Sequence, residues 1–187
     1  MKNPTSPLIA IVGMTGSGKS EASEYFKQKG YITLRFGSVV DDEITKAGHT
    51  WSPEWTAHFR KKIREEHGEL GVAKLLLPKI ETALLKTDKV LIDGLYSWKE
   101  YLFLKEIFPQ LTTLALYVRR DLRYKRLQER QERPFTHQES FERDTNEIEL
   151  LNKGGPIAFA DYLIKNEAKL SDLHNALDEY LLWIQTE

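Results

Sequence analysis

This 187-residue sequence predicts an α/β fold built on a five-stranded parallel sheet, and three observations carry that reading. Short apolar runs rich in β-branched residues recur along the chain. Segments of helical length, several opening on recognisable caps, lie between them. The runs are apolar at consecutive positions and do not alternate with polar residues, as expected of strands covered on both faces. Strands separated by helices imply crossover connections, and hence a parallel sheet.

The elements follow in order. LIAIV (Leu8–Val12) is the first strand, and a helix over 17–29 closes at Gly30. YITLRF (31–36) is the second strand, and 38–48 is a short helix with Ser38 as its N-cap. Ser52 and Pro53 open a helix that ends near Gly68, and a second runs over 69–86, bent or interrupted at Pro78. KVLIDG (89–94) is the third strand, and Ser97 with Glu100 forms a capping box for a helix to Phe108. LTTLALYV (111–118) is the fourth strand. A highly charged helix over 121–133 stops before Pro134, and Thr136 with Glu139 caps another. ADYLIKN (160–166) is the fifth strand, and 170–185 is a closing helix. One domain results: a core from residues 7–50, 88–118 and 156–187, a helical insert at 51–87 for an acceptor, and an arginine-rich lid at 119–150.

Composition narrows the function classes. Hydrophobic residues make up 41% and charged residues 29%, as in folded globular domains. The net charge is −1, which gives no overall basic field for nucleic acid. Cysteine is absent, so disulfides, thiolate zinc sites and cysteine nucleophiles are excluded. No apolar run reaches membrane-spanning length, and MKNPTSP followed by LIAIV is too short for a secretory leader. The expected location is cytoplasmic.

The chemistry starts at GMTGSGKS, which matches the pattern G-x-x-x-x-G-K-[ST] between a strand and a helix. This is the phosphate-binding loop, or P-loop. Its glycines let backbone N–H groups curl toward phosphate oxygens, and the next helix points its positive end at the same place. Gly13, Thr15, Gly16, Ser17, Gly18, Lys19 and Ser20 form the expected ATP-binding set. Lys19 reaches the β- and γ-phosphates, and Ser20 offers its hydroxyl to Mg²⁺. Asp93 ends an apolar strand, where an acid holds Mg²⁺ or orients the acceptor; an ordinary Asp-Gly turn is the other reading. The guanine-reading N-K-x-D element is missing, as is the transporter signature LSGGQ.

In the lid segment, Arg119, Arg123, Arg126, Arg130 and Arg133 recur at spacings of three and four, which places them on one helical face. Guanidinium forks there answer the charge of phosphoryl transfer, with Arg126 on the nucleotide and Arg130 and Arg133 over the moving group. Interleaved acids, Glu132 among them, also fit a plain solvated helix. Asp42 is a candidate general base and Asp41 a rival that equally suits a helix first turn. Arg35, Arg60 and Arg64 are candidate acceptor-phosphate clamps.

The succession IVGMTGSGKS, GSVVDDEITKAG, REEHG, VLIDGLYS, FERD and ADYLIKN resembles the adenylate-kinase-like P-loop proteins of the UPF0200 family, from about Leu8 to Leu173. More distantly it resembles dephospho-CoA kinase and the nucleoside monophosphate kinases. The resemblance implies an ATP-binding kinase fold with Gly13 to Ser20 on ATP, Asp93 as the strand-end acid, and Arg130 and Arg133 as lid arginines. Two positions depart from the family pattern: Ser38 stands where an Asp is usual, and Tyr96 where an arginine is usual. The function this implies is phosphoryl transfer from ATP, with Mg²⁺, to a nucleotide-like small molecule. The alternative is an ATP-binding regulatory or assembly module with slow ATPase activity.

Overall fold

The computed structural model describes residues 7–131 and 133–186. The stretch MKNPTS and Glu132, one of the acids interleaved in the lid segment, lie outside the described residues. The chain runs β1 (Leu8–Val12), α1 (Lys19–Gln28), β2 (Ile32–Arg35), α2 (Ser38–Lys46), α3 (Pro53–His67), α4 (Gly71–Lys86) and β3 (Val90–Asp93). It continues with α5 (Trp98–Ile107), β4 (Leu111–Tyr117), α6 (Arg120–Gln128), α7 (His137–Glu149), α8 (Gly154–Ala158), β5 (Tyr162–Lys165) and α9 (Leu170–Trp183).

All four strand pairings are parallel, in the order β2-β3-β1-β4-β5. The apolar runs are continuous because both faces are covered. Leu8, Ala10 and Val12 join the core formed with α2 to α5, while Ile9 and Ile11 join the core formed with α1 and α9. On β3 the alternation repeats, with Val90 and Ile92 on the first face and Leu91 on the second. β1 is central and its neighbours β3 and β4 leave in opposite directions along the sheet, so a cleft opens at its carboxyl end. The loop 13–18 begins there.

Local details differ from the sequence reading for physical reasons. Gly37, not Ser38, is the N-cap of α2, and the Ser38 side chain caps nothing. Pro78 lies inside α4 without ending it; Leu76, Ile80 and Ala83 bury against the sheet and outweigh the lost hydrogen bond. The charged helix ends at Gln128, where Phe135 N–H turns back to donate to the Leu127 carbonyl. The capping boxes at Ser97 and Thr136 form as the residues predict. No helix among the described residues is long and apolar enough to cross a membrane.

Helix α7 is inverted. It buries Ser140, Asp144 and Glu147 and exposes Phe141 and Ile148. Asp144 accepts two bonds from Arg123 of α6, at 2.8 and 2.6 Å, and one from the Tyr124 hydroxyl. Arg123 also donates to the Thr15 carbonyl at 3.0 Å, so the bridge ties α6 and α7 to the loop after β1. Removing one partner of a buried pair strands the other charge. Arg123→Met is therefore expected to lower unfolding stability by ~3–5 kcal/mol in urea titration at neutral pH. Arg123→Met combined with Asp144→Leu should recover most of that loss.

Candidate functional site

The loop after β1 depends on its glycines. Gly13, Gly16 and Gly18 have φ of 149°, 86° and 98°. A Cβ at Gly13 would meet the Leu116 carbonyl at 2.7 Å, and one at Gly18 would run into the Asn166 amide nitrogen. Asn166, just past the edge strand β5, donates that amide to the Ser17 carbonyl at 3.0 Å and pins the loop. Lys19 folds back over the loop and donates to the carbonyls of Gly13 and Met14 at 2.8 and 3.0 Å. Burial, then the nearby Lys153 charge, lowers its pKa to about 8, against the pull of Glu147 and Asp93.

Glu147 sits beneath this loop, fully buried. It accepts the Thr15 N–H at 3.0 Å, the Thr15 hydroxyl, Lys153 at 2.7 Å and Arg143 at 3.2 Å. Burial alone would raise its pKa. The Lys153 charge and hydrogen bond, with those from Thr15, overcome that and hold it at about 2. Burial raises Asp93, although Lys19 draws it back.

A cavity of about 1200 Å³ joins these groups. Of the residues expected from the sequence, Thr15, Gly16, Gly18, Lys19, Ser20, Asp93, Arg126, Arg130 and Arg133 all line it, as do Arg35, Asp41 and Arg60. Gly13 and Ser17 belong to the loop but face inward, with Ser17 buried. Asp42 is not brought to the cavity; it pairs with Lys79 of α4. Asp41, its rival, pairs with Arg35 at the cavity wall. Arg119 pairs with Asp121, and Arg123 is the buried bridge described above, so neither faces the cavity. Arg133 stacks on the exposed Trp51 ring at 3.8 Å.

Three groups at the site were missed in the sequence: Glu147, Lys153 and Asn166. Glu147 reads as an ordinary surface i,i+4 partner of Arg143. Lys153 follows Asn152 and reads as loop. One signal was available: the polar i, i+4, i+7 set Ser140, Asp144 and Glu147 sits on a helix whose apolar residues would otherwise turn inward.

Comparison with known proteins places the chain. A UPF0200 protein of Pyrococcus abyssi is 34% identical over 164 residues, covering 86% of this chain and 87% of that one. The chain belongs to the UPF0200 family. A UPF0200 protein of Methanocaldococcus jannaschii is 34% identical over 176 residues, covering 93% of this chain and 88% of its own length. A family described as an AAA domain matches residues 9–150 of this UPF0200 chain. Among solved structures, TT1252 from Thermus thermophilus superposes with a TM-score of 0.63 at 20% identity, over 94% of this chain and 97% of that one. A shikimate kinase from Acinetobacter baumannii, solved with shikimate, gives 0.59 at 20% identity, over 98% and 97%. These likenesses establish for this UPF0200 protein a P-loop kinase-like fold.

The depressed Glu147 has a pH signature. Its ordinary value is 4.5 and its folded value about 2, so the stability it contributes is complete above the first and lost as pH falls toward the second. Glu147→Gln is expected to lower stability at neutral pH and to flatten the fall between those two values. Urea midpoints measured down the pH scale test this; an unchanged acid slope in the variant refutes the role given to Glu147.

Proposed function

We propose that this UPF0200 protein transfers a phosphoryl group from ATP to a small-molecule acceptor, a nucleotide or nucleotide-like metabolite. The observation that carries this reading is one cavity large enough for two ligands, lined on one side by the P-loop and on another by Arg126, Arg130 and Arg133. None of those three arginines pairs with a carboxylate among the described residues.

On ATP binding, Lys19 exchanges its two loop carbonyls for β- and γ-phosphate oxygens. Loop amides and the α1 N-terminus complete the cradle. The donor set also fits Mg²⁺, which takes oxygen ligands and keeps several waters. The Ser20 hydroxyl and the Asp93 carboxylate both line the cavity and would hold it. Bound there, the ion would neutralise charge on the phosphates. Residues 119–150 act as the lid, whose three arginines meet the charge spread over the moving group. Transfer breaks the bond from the terminal phosphorus to its bridging oxygen and forms one to an acceptor oxygen. Where the attacking atom is a hydroxyl oxygen, its proton leaves to a carboxylate, for which Asp41 is in place at the cavity wall; an ionised phosphate oxygen has no proton to lose.

Two measurements test the reading. With an acceptor found by screening for acceptor-dependent ADP formation, Lys19→Ala is expected to cut turnover by about 100-fold or more while circular dichroism stays unchanged. Undiminished turnover would falsify the assignment. Nucleotide affinity should weaken as pH rises through about 8, with proton uptake on binding there, because Lys19 binds in its charged form and titrates at about 8. Lys19→Arg should remove that alkaline fall.

A further inference from the structure

We propose a second anion site in the cavity wall, formed by Arg60, Arg143 and Lys153, that seats the phosphate monoester of the acceptor. It rests on the phosphoryl-transfer reading above and specifies the acceptor class.

The three cations come from separate parts of the chain and meet around Tyr96 and Glu147. Lys153 Nζ lies 4.7 Å from the Tyr96 ring centre, and the Arg60 guanidinium 5.8 Å from it. Arg143 and Lys153 both bond Glu147 Oε1, at 3.2 and 2.7 Å. The Thr15 hydroxyl bonds Oε1 as well, and the Thr15 N–H bonds Oε2, so four donors share this one carboxylate. Arg60 has no carboxylate partner among the described residues. Three positive groups thus gather at one bonded carboxylate; Asp93 and Glu100 lie within electrostatic reach, and so do Arg35 and Arg64, so the cluster as a whole stays positive. Lys153 is 4% exposed, so its charge is poorly solvated. Glu147 pairs with Lys153 and Arg143, and the positive charge left over, carried by Arg60 beside them, calls for an anionic ligand. A phosphate monoester carries nearly two negative charges at neutral pH; a carboxylate carries one and a free nucleoside none.

Position supports the same ligand. Lys153 and Lys19 line the same cavity. Arg60, Arg143 and Lys153 all line the main cavity with the P-loop. A side chamber of about 430 Å³ opens past Arg60 and Tyr96, with Val40, Val72 and Trp98 in its walls. The phosphate therefore sits beside the donor, and an attached ring enters the chamber. Tyr96 presents a ring face that both Lys153 and Arg60 use.

Calorimetric titration tests this on chain saturated with Mg²⁺ and the non-hydrolysable analogue AMP-PNP. Inorganic phosphate is expected to bind saturably, at one per chain. AMP and CMP should bind at least ~10-fold more tightly than adenosine and cytidine, one charge-assisted contact being worth about that factor. Arg60→Met and Lys153→Met should each weaken phosphate and monoester binding by about 10-fold or more. Arg60 lies at the edge of the network, so its variant keeps the question answerable if Lys153→Met fails to fold. Absence of saturable phosphate binding overturns the site, as does equal affinity in wild type and Arg60→Met. If AMP-PNP itself does not bind, the ATP reading falls. Phosphate titration of the free chain and the same variants then decides the anion site alone.

Discussion

One buried carboxylate organises the site. Glu147 is fully enclosed and ionised, and it stays so only because Thr15, Lys153 and Arg143 together satisfy it. Arg123, held by Asp144, grips the carbonyl of the same Thr15. The peptide groups on both sides of Thr15 are thereby fixed from α6 and α7. A loop of glycines has little stiffness of its own, so its shape is set by charges reaching it from far along the chain. Such networks are stable when every member is paired and costly when one is missing.

The same arrangement leaves the cavity electropositive. Lys19 is turned onto its own loop carbonyls, and Arg126 and Arg130 reach the cavity without carboxylate partners among the described residues. Phosphate chemistry answers both features, since a polyphosphate gives Lys19 better acceptors and the guanidinium groups a counter-charge. The two positions where the resemblance led to the expectation of an acid and an arginine read differently in three dimensions. Ser38 carries no carboxylate, yet Asp41 of the same helix reaches the cavity wall beside Arg35. Tyr96 carries no guanidinium, yet two cations lie against its ring.

Much of the fold was legible in the residues because its causes are local or periodic. The five strands, the parallel sheet and the capping boxes at Ser97 and Thr136 follow from apolar runs, helix spacing and side chains that bond three residues away. Where a local signal met tertiary packing, packing prevailed: Pro78 does not break α4 while Leu76 and Ile80 are held in the core. Helix α8 escaped notice because GGPIA carries weak helical preference and packs against α5 near Trp98.

By itself, the sequence determined the phosphate loop, the sheet that presents it and the arginine-rich segment after β4, since each is written in contiguous residues with a fixed spacing. Tertiary structure alone decided which charges matter. Among seven arginines of the 119–144 stretch, it sent Arg123 inward and Arg126, Arg130 and Arg133 to the cavity. It set aside Asp42 against Lys79 and brought Glu147 to Thr15, 132 positions away. A carboxylate's neighbours across such a separation have no periodic signature, because they depend on how whole elements pack and not on the spacing within any one of them.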